Sequence, residues 1–452
     1  MKFKIYNLHN YSKIPQLQYL SEQHKFEIEV VGNILPFRTN NYVVNELIDW
    51  QNYKDDPIFI LNFPNREMLH DEYFGQMSDA IRFNKNLSER TRIANSIRYK
   101  LNPNPAGQQQ QNIPELDGNS VIGIQHKYRE TILFFPSQGQ TCHAYCTFCF
   151  RWPQFTGIEE LKFALKQGDI LLKYLRVHKE VTDILITGGD PMVMNCKYLE
   201  EYILPLLEPG FEHIQNIRIG TKALTYWPHR FTDDQDSADI LRLFEKIVKS
   251  GKHLAFMAHF NHPRELQTET VQKAIAAIRN TGAIIRTQSP VLNHINADAK
   301  LWIEMWKKQV SLGLIPYYYF IVRNTGAQEY FAVPLVKTWE IFREAYSQVS
   351  GISRTVRGPI MSASPGKVQI LGTTVINNEK YFALTFLQGR NPKWTGQPFF
   401  AKFDENAIWF DDLKPAFGEE KFHFEDEYKA FLQNPITSNR KFWHPHHLSC
   451  CE

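Results

Sequence analysis

Short β-rich segments alternate with amphipathic helical segments through the middle of this chain. Continuous apolar runs, which are typical of strands buried on both faces of a parallel sheet, predict six strands: Thr131–Pro136, Thr182–Thr187, Ile214–Gly220, His253–Phe260, Gly282–Gln288 and Ile315–Val322. Helical segments follow at Gly157–Lys179, Ser237–Ser250, Glu269–Asn280, Ala299–Gly313 and Lys337–Ser350. A full barrel has eight βα units, so six units predict an α/β fold with a partial (β/α)6 barrel.

Two extensions flank this predicted core. We predict an N-terminal extension over residues 1–120, the barrel core over 121–370 and a C-terminal extension over 371–452. The N-terminal part looks irregular, and its Gln/Asn-rich stretch Gly107–Asn112 indicates a flexible loop. The C-terminal part contains β-like segments at Val368–Leu371 and Tyr381–Leu387.

Composition excludes several classes of protein. Apolar residues make up 43% of the chain, which is typical of a globular protein. The 51 basic and 48 acidic residues nearly balance, which gives no reason to expect nucleic acid or a membrane as partner. The sequence has neither a signal-peptide core at its start nor an apolar run of about 18 residues. We therefore expect a cytoplasmic protein, in which clustered cysteines indicate a metal rather than disulfides.

Three cysteines within eight residues directly follow the first predicted strand. Cys142, Cys146 and Cys149 are spaced so that their thiolates can surround one small cluster. Three ligands leave one iron of a [4Fe–4S] cluster open for another molecule. A structural zinc ion would need a fourth ligand. His143 could supply it, although the conventional zinc spacing is absent, and chance clustering of buried cysteines is the other alternative.

The second predicted strand ends in Gly188, Gly189 and Asp190. By itself this is a common turn, since glycine tolerates positive φ. Further polar and aromatic motifs stand at or just after the other predicted strand ends, where barrel enzymes build their sites. These motifs are Arg218–Lys222, Ala258–Pro263, Thr287–Leu292 and Pro316–Phe320.

The CxxxCxxC triplet followed by a GGD loop resembles the radical S-adenosylmethionine enzymes. The order and spacing of the motifs over roughly residues 115 to 370 resemble the lysine 2,3-aminomutase family in particular. The resemblance implies that the open iron chelates S-adenosylmethionine and that an electron from the cluster yields a 5′-deoxyadenosyl radical. It also implies that Gly188, Gly189, Asp190 and Gln288 contact S-adenosylmethionine. We expect an electron donor such as flavodoxin or ferredoxin, and a homo-oligomer.

The family also carries pyridoxal 5′-phosphate on a lysine that follows a glycine-rich run. The matching lysine here is Lys367, with only Pro365-Gly366 before it. A lysine in a dry pocket can form a Schiff base with an aldehyde. Of the basic residues that hold the phosphate in the family, Lys127 matches one and Thr131 replaces another. Pyridoxal phosphate is therefore held differently in this chain or is absent from it.

Two arginines suggest what the substrate is. In the family, an arginine two residues after the third cysteine binds the substrate carboxylate, and Arg151 occupies that position; a structural ion pair is the alternative. The lysine enzymes hold the distal ammonium group with two aspartates, but Arg323 replaces the first and Ile360–Ser364 contains no acid. Like charges about 4 Å apart repel by roughly 4 kcal/mol at a dielectric near 20, which is on the order of a thousandfold in binding.

The resulting hypothesis is an isomerase that shifts an amino group from C2 to C3 of an amino acid other than lysine. A glutamate-like substrate would gain from Arg323, unless that side chain turns outward. Two alternatives stay open: a radical S-adenosylmethionine enzyme without pyridoxal phosphate that acts on another substrate, and a non-catalytic protein stabilised by zinc. No metal role is predicted for Cys196 or for the tail His444–Cys451.

Overall fold

A computed structural model describes residues 1–103 and 110–433 of the chain. Its strands are β1 (Ile5–Asn7), β2 (Arg38–Asn40), β3 (Glu115–Leu116), β4 (Asn119–Ser120), β5 (Ile124–Tyr128), β6 (Thr131–Phe134), β7 (Asp183–Ile186), β8 (Asn216–Thr221), β9 (His253–His259), β10 (Ile284–Val291), β11 (Ile315–Ile321), β12 (Arg357–Ser362), β13 (Gly366–Ile376), β14 (Glu379–Gly389) and β15 (Pro398–Lys402). The α-helices are Glu22–Gly32, Pro57–Asn62, Asp71–Arg82, Leu87–Lys100, Gly168–Val177, Cys196–Ile203, Ala223–Tyr226, Ser237–Lys249, Glu269–Asn280, Ala299–Ser311, Gln328–Phe331, Leu335–Ser347 and Glu425–Gln433.

Strands β5 to β15 form one eleven-stranded sheet in which sequence neighbours are also spatial neighbours. All pairs from β6 to β12 are parallel, whereas β5 and β13 to β15 join antiparallel. The six predicted strands coincide with β6 to β11, and the mixed α/β class is confirmed. The sequence did not reveal β12 as a seventh parallel strand.

The two faces of this sheet differ in character. In β6, β7 and β8 the residues Ile132, Ile184 and Ile217 are fully buried and belong to the apolar core that the helices cover. Their neighbours on the other face, including Thr131 and Arg218, are only half-buried. The face without helices therefore carries the polar side chains.

The opposite ends of this run of strands meet across the polar face. Lys127 in β5 donates a hydrogen bond of 2.8 Å to the carbonyl oxygen of Ala363, which follows β12. The Lys367 ammonium nitrogen in β13 lies 4.9 Å from the ring centroid of Tyr128 in β5. These contacts show that the sheet curves.

The closure into a partial (β/α)6 barrel and the three domain boundaries stay predictions. Strand β13 spans the boundary predicted at residue 370.

The expectation that the N-terminal part is irregular is wrong. Four helices between Glu22 and Lys100 pack around a second apolar core with fully buried residues such as Ile28, Phe63 and Met77. In Pro57–Asn62 every residue after the proline is buried, so the amphipathic pattern that marks a surface helix is missing. Residues 107–109 of the Gln/Asn-rich stretch lie outside the described residues, as does the tail from residue 434 on, whereas Gln110–Asn112 forms a short 3-10 helix. Within the described part, no helix is both long and apolar enough to cross a membrane.

Asp56 fastens the N-terminal part to the large sheet. Its buried carboxylate accepts hydrogen bonds from the backbone N–H groups of Ile58 and Phe59, which caps the helix Pro57–Asn62. The same carboxylate forms an ion pair with Arg264, which follows β9. One side chain thus supports a local cap and a long-range contact.

We expect Asp56→Ala to lower the free energy of unfolding by about 3–5 kcal/mol, because it breaks a buried ion pair. Asp56→Asn keeps a good capping side chain and loses only the charge. Its free energy of unfolding should therefore fall by about 1 kcal/mol less than that of Asp56→Ala. Urea unfolding of both variants measures the difference. Equal stability of Asp56→Asn and the wild type would show that the ion pair does not fasten the two parts.

Candidate active site

The loop that carries the three cysteines is held by the N-terminal part of the chain. The Arg38 carbonyl accepts a hydrogen bond of 2.8 Å from the Tyr145 N–H. The Arg38 guanidinium donates a hydrogen bond of 2.6 Å to the Thr141 hydroxyl. The Asn40 amide donates to the His143 carbonyl at 3.1 Å. Two of these bonds run to the backbone at His143 and Tyr145 and the third to the Thr141 side chain, so they fix the path of the loop on both sides of Cys142.

The three thiols lie close together. Cys142, Cys146 and Cys149 are half-buried. Burial, and then the nearby Cys146 sulfur, raises the pKa of Cys149 to about 12. Buried thiols become thiolates when a cation neutralises them, so this donor set fits a metal centre. Within the described residues, no group of three or more His, Cys, Asp or Glu side chains is arranged to hold a single metal ion.

The glycine loop after β7 packs against the residues that precede the first cysteine. The N–H of Gly189 donates to the Gly139 carbonyl at 3.1 Å, and the N–H of Asp190 donates to the Thr141 carbonyl at 2.6 Å. A Cβ atom on Gly189 would lie 2.3 Å from the Thr141 oxygen. Glycine is therefore required at 189 by close backbone approach, and Gly188 adopts a φ of +146° that also favours glycine.

The Asp190 carboxylate is occupied by protein groups. It accepts hydrogen bonds from the Met192 N–H at 3.0 Å, the Thr221 hydroxyl at 2.7 Å and the Lys222 N–H at 2.9 Å. Burial raises its pKa to about 6, although these hydrogen bonds act in the opposite direction. A ligand at this loop would therefore meet backbone groups rather than the carboxylate.

Gln288 lies on the same edge of the sheet. It pairs in register with His259 of β9 and with Tyr318 of β11, and its side chain is half-buried. The His259 ring stacks with the ring of Phe148 in the cysteine loop at a centroid distance of 6.4 Å. The parallel ladder thus brings Gln288 to the neighbourhood of the cysteines.

Arg151 and Arg323 come together around one aromatic ring. Their guanidinium carbons lie 5.0 Å and 5.3 Å from the ring centroid of Phe150. Arg151 also lies 4.5 Å from the ring centroid of Phe135. Burial lowers the pKa of each arginine to about 10. Both side chains are half-buried, and the buried Nε of Arg323 has no hydrogen-bond partner.

Lys367 and Lys127 are neighbours in the same region. The Lys367 ammonium donates to the Gln388 side-chain oxygen at 2.8 Å and lies 5.5 Å from the Tyr318 ring centroid. Burial, followed by the charges of Arg218 and Arg357, lowers the pKa of Lys367 to about 7. The pKa of Lys127 is also lowered, first by burial and then by Arg390, Arg323 and Lys367.

Positive charge therefore exceeds negative charge around Lys127, Arg151, Arg323 and Lys367. Among the described residues, no Asp or Glu forms an ion pair with Lys127, Arg151, Arg323 or Lys367, whereas Arg218 is paired with Asp183 at 2.7 Å. Unpaired buried charges are costly, so this cluster of cations is suited to anionic groups. The charge of a phosphate or a carboxylate would neutralise it, which makes the residues present chemically compatible with pyridoxal phosphate and an amino acid.

Sequence reasoning missed several contributors to the site. Arg38 and Asn40 come from the N-terminal part, and Gln388 and Arg390 come from β14 and the residue after it. Arg390 is fully buried and donates to the Ser364 carbonyl at 2.9 Å, which holds the loop before Lys367. None of these residues stands in a motif, so a single sequence carries no signal for them.

The chain is similar in sequence to several known proteins. No family model matches the chain. The chain is 31% identical over 407 residues to an Aquifex aeolicus (strain VF5) protein named "Putative L-lysine 2,3-aminomutase", an alignment that covers 90% of this chain and 95% of that protein. It is 30% identical over 237 residues to the L-lysine 2,3-aminomutase of Bacillus subtilis (strain 168), covering 52% and 47% of the two chains. A solved radical SAM methyltransferase from Sphaerobacter thermophilus aligns with a TM-score of 0.37 and 14% identity, over 54% of this chain and 71% of that chain.

The full-length alignment shows that this chain belongs to the lysine 2,3-aminomutase family of radical S-adenosylmethionine enzymes. Membership implies a [4Fe–4S] cluster and S-adenosylmethionine as cofactors.

The lowered pKa of Lys367 has a measurable consequence. A lysine with a pKa near 7 is largely neutral, and therefore nucleophilic, at pH 8, where an ordinary lysine is protonated. Acetylation of the folded protein by limiting acetic anhydride, followed by peptide mass spectrometry, should give half-maximal labelling of Lys367 near pH 7. The exposed Lys273 serves as the control. Half-maximal labelling of Lys367 near its ordinary value of 10.5 would contradict the environment described here.

Proposed function

We propose that this protein is an amino-acid 2,3-aminomutase that uses a 5′-deoxyadenosyl radical and pyridoxal phosphate. In this proposal Cys142, Cys146 and Cys149 bind the cluster, and the backbone of Gly188–Asp190 together with Gln288 binds S-adenosylmethionine. Lys367 carries pyridoxal phosphate and Lys127 contributes to its phosphate site. The enzyme acts in the cytoplasm and takes its electron from a carrier such as flavodoxin or ferredoxin.

The observation that carries the proposal is the environment of Lys367. A neutral amine is the form that attacks an aldehyde, and burial beside Arg218 and Arg357 favours that form near neutral pH. Arg357 and Lys127 lie near the lysine and have no acidic partner among the described residues, which suits a phosphorylated aldehyde. The alternative without pyridoxal phosphate gives no reason for this combination.

When bound, the cofactors supply a radical that abstracts hydrogen and a ring that stabilises the substrate radical. The chain's own residues position and shield these groups. Arg151 can hold the α-carboxylate of the substrate with two parallel hydrogen bonds. Lys367 accepts and releases a proton at its Nζ atom as it changes between its free and its bound form. The aromatic rings of Tyr128, Phe150 and Tyr318 exclude water from the space between these two residues.

Arg323 directs the choice of substrate away from lysine. It shares the Phe150 ring with Arg151 and has no acidic partner among the described residues. A distal ammonium group would be repelled there, by roughly 4 kcal/mol at about 4 Å and a dielectric near 20. A second carboxylate would instead find a free guanidinium. We therefore propose an amino acid with an acidic side chain, of glutamate-like length, as the substrate.

Anaerobic reconstitution with iron, sulfide and pyridoxal phosphate tests the function. We expect the wild type to bind about four irons with acid-labile sulfide and to show the absorbance of a lysine-bound cofactor. With S-adenosylmethionine and the correct amino acid, it should release 5′-deoxyadenosine and a β-amino acid. Lys367→Ala should keep the cluster and lose both the absorbance and the β-amino acid.

Two results would contradict the proposal in different ways. A wild type that binds its cluster but never shows the cofactor absorbance would favour a radical enzyme without pyridoxal phosphate. A protein with one zinc and no sulfide would favour the zinc-stabilised binding protein. Lys273→Ala is the matched control, because it removes an exposed lysine that is paired with Glu269 on its own helix.

The role of Arg323 is tested by comparing substrates. The wild type should turn over a dicarboxylic amino acid and not lysine. Arg323→Ala should raise the KM for the dicarboxylic substrate about tenfold or more, since a hydrogen bond to a charged group contributes about 1.5–3 kcal/mol. The exposed Arg92→Ala should leave KM unchanged. Efficient turnover of lysine by the wild type would refute this assignment.

A further inference from the structure

A tyrosine hydroxyl lies against one of the three cysteine sulfurs. Tyr226 ends the short helix Ala223–Tyr226 after β8, and its side chain is 1% exposed. Its hydroxyl oxygen is 3.3 Å from the Sγ atom of Cys146. Among the described residues this sulfur is the only hydrogen-bond partner of that hydroxyl. A buried hydroxyl normally has a partner, so the contact accounts for the placement of the tyrosine.

The direction of this hydrogen bond follows from the chemistry of the cluster. A free thiol and a hydroxyl could each donate to the other. A cysteine that binds iron is a thiolate and has no proton, so in the loaded enzyme the Tyr226 hydroxyl must be the donor. The proton then points at an atom that shares the charge of the cluster.

Several contacts fix the position of Tyr226. Its N–H donates to the Lys222 carbonyl at 2.9 Å, and its ring centroid lies 4.7 Å from the Lys222 ammonium nitrogen. The fully buried Asn40 donates to the Tyr226 carbonyl at 2.8 Å and also to the His143 carbonyl in the cysteine loop. Asn40 thereby links the tyrosine and the loop through one side chain.

We propose that Tyr226 donates a hydrogen bond to the Cys146 thiolate of the loaded cluster and raises its reduction potential, with Asn40 as a positioning residue. Reduction adds one electron and hence negative charge to the cluster. A hydrogen bond to a ligand sulfur stabilises the more negative state, and hydrogen bonds to the sulfurs are among the factors that set such potentials. This inference rests on the cluster of the proposed function and concerns how readily that cluster accepts its electron.

Tyr226→Phe removes the donor and keeps the ring. In an anaerobic redox titration followed by electron paramagnetic resonance, the midpoint potential of the variant should become more negative. We expect about a tenfold change in the equilibrium constant for reduction, which is 59 mV for one electron. Tyr42→Phe is the matched control, because it removes a buried hydroxyl that bonds Thr268 at 2.7 Å rather than a cysteine. It should leave the potential unchanged.

The possible outcomes separate this inference from the proposed function. An unchanged potential in a fully loaded Tyr226→Phe variant would overturn it. Loss of iron and sulfide with an unchanged potential in the remaining clusters would also overturn it, because the role would then be structural. If the variant does not fold, electron–nuclear double resonance on the reduced wild type tests the hydrogen bond instead. We expect a proton that is coupled to the cluster in H2O and is lost in D2O. If no such exchangeable proton is detected in H2O, the inference is overturned. A wild type that takes up no iron and sulfide would overturn the proposed function itself.

Discussion

The parallel ladder from β6 to β12 is the constraint on which the rest of this structure depends. Parallel pairing puts the carboxyl ends of all these strands at one edge of the sheet. The cysteine loop, the glycine loop and the segment after β11 all begin at that edge, and the register aligns Gln288 with His259 and Tyr318. Residues that are more than a hundred positions apart in the chain therefore meet without any local sequence signal for the contact.

A second physical theme is charge that the protein itself leaves unpaired. Lys127, Arg151, Arg323 and Lys367 form one cluster of cations with no acidic partner among the described residues, although burying a charge is costly. The cost is tolerable when an anionic ligand neutralises the charge in the working enzyme. The lowered pKa of Lys367 is the other response, since a lysine in this environment gives up its proton near pH 7. The electrostatics and the proposed chemistry are thus two aspects of one arrangement.

The accuracy of the sequence predictions varied with the kind of signal. The six strands coincide with β6 to β11 because buried parallel strands consist of continuous apolar runs. The helix Glu269–Asn280 was predicted to the residue, since Thr268 caps its start and Gly282 follows its end. The N-terminal helix Pro57–Asn62 was missed because it is buried on all sides and has no polar face. The strand β12 was missed because a short segment with Gly358 and Pro359 has little strand character of its own.

The sequence by itself determined the family to which this chain belongs. The spacing of Cys142, Cys146 and Cys149, the glycine loop and the segment that ends in Lys367 were recognisable as motifs, because spacing along the chain is enough to define each motif. Only the tertiary structure decided what surrounds them. It brought Arg38, Asn40 and Tyr226 to the cysteines, and it buried Lys367 beside Arg218 and Arg357. Such contacts depend on how distant segments pack, and a single sequence records no signal for packing between residues that are far apart in the chain.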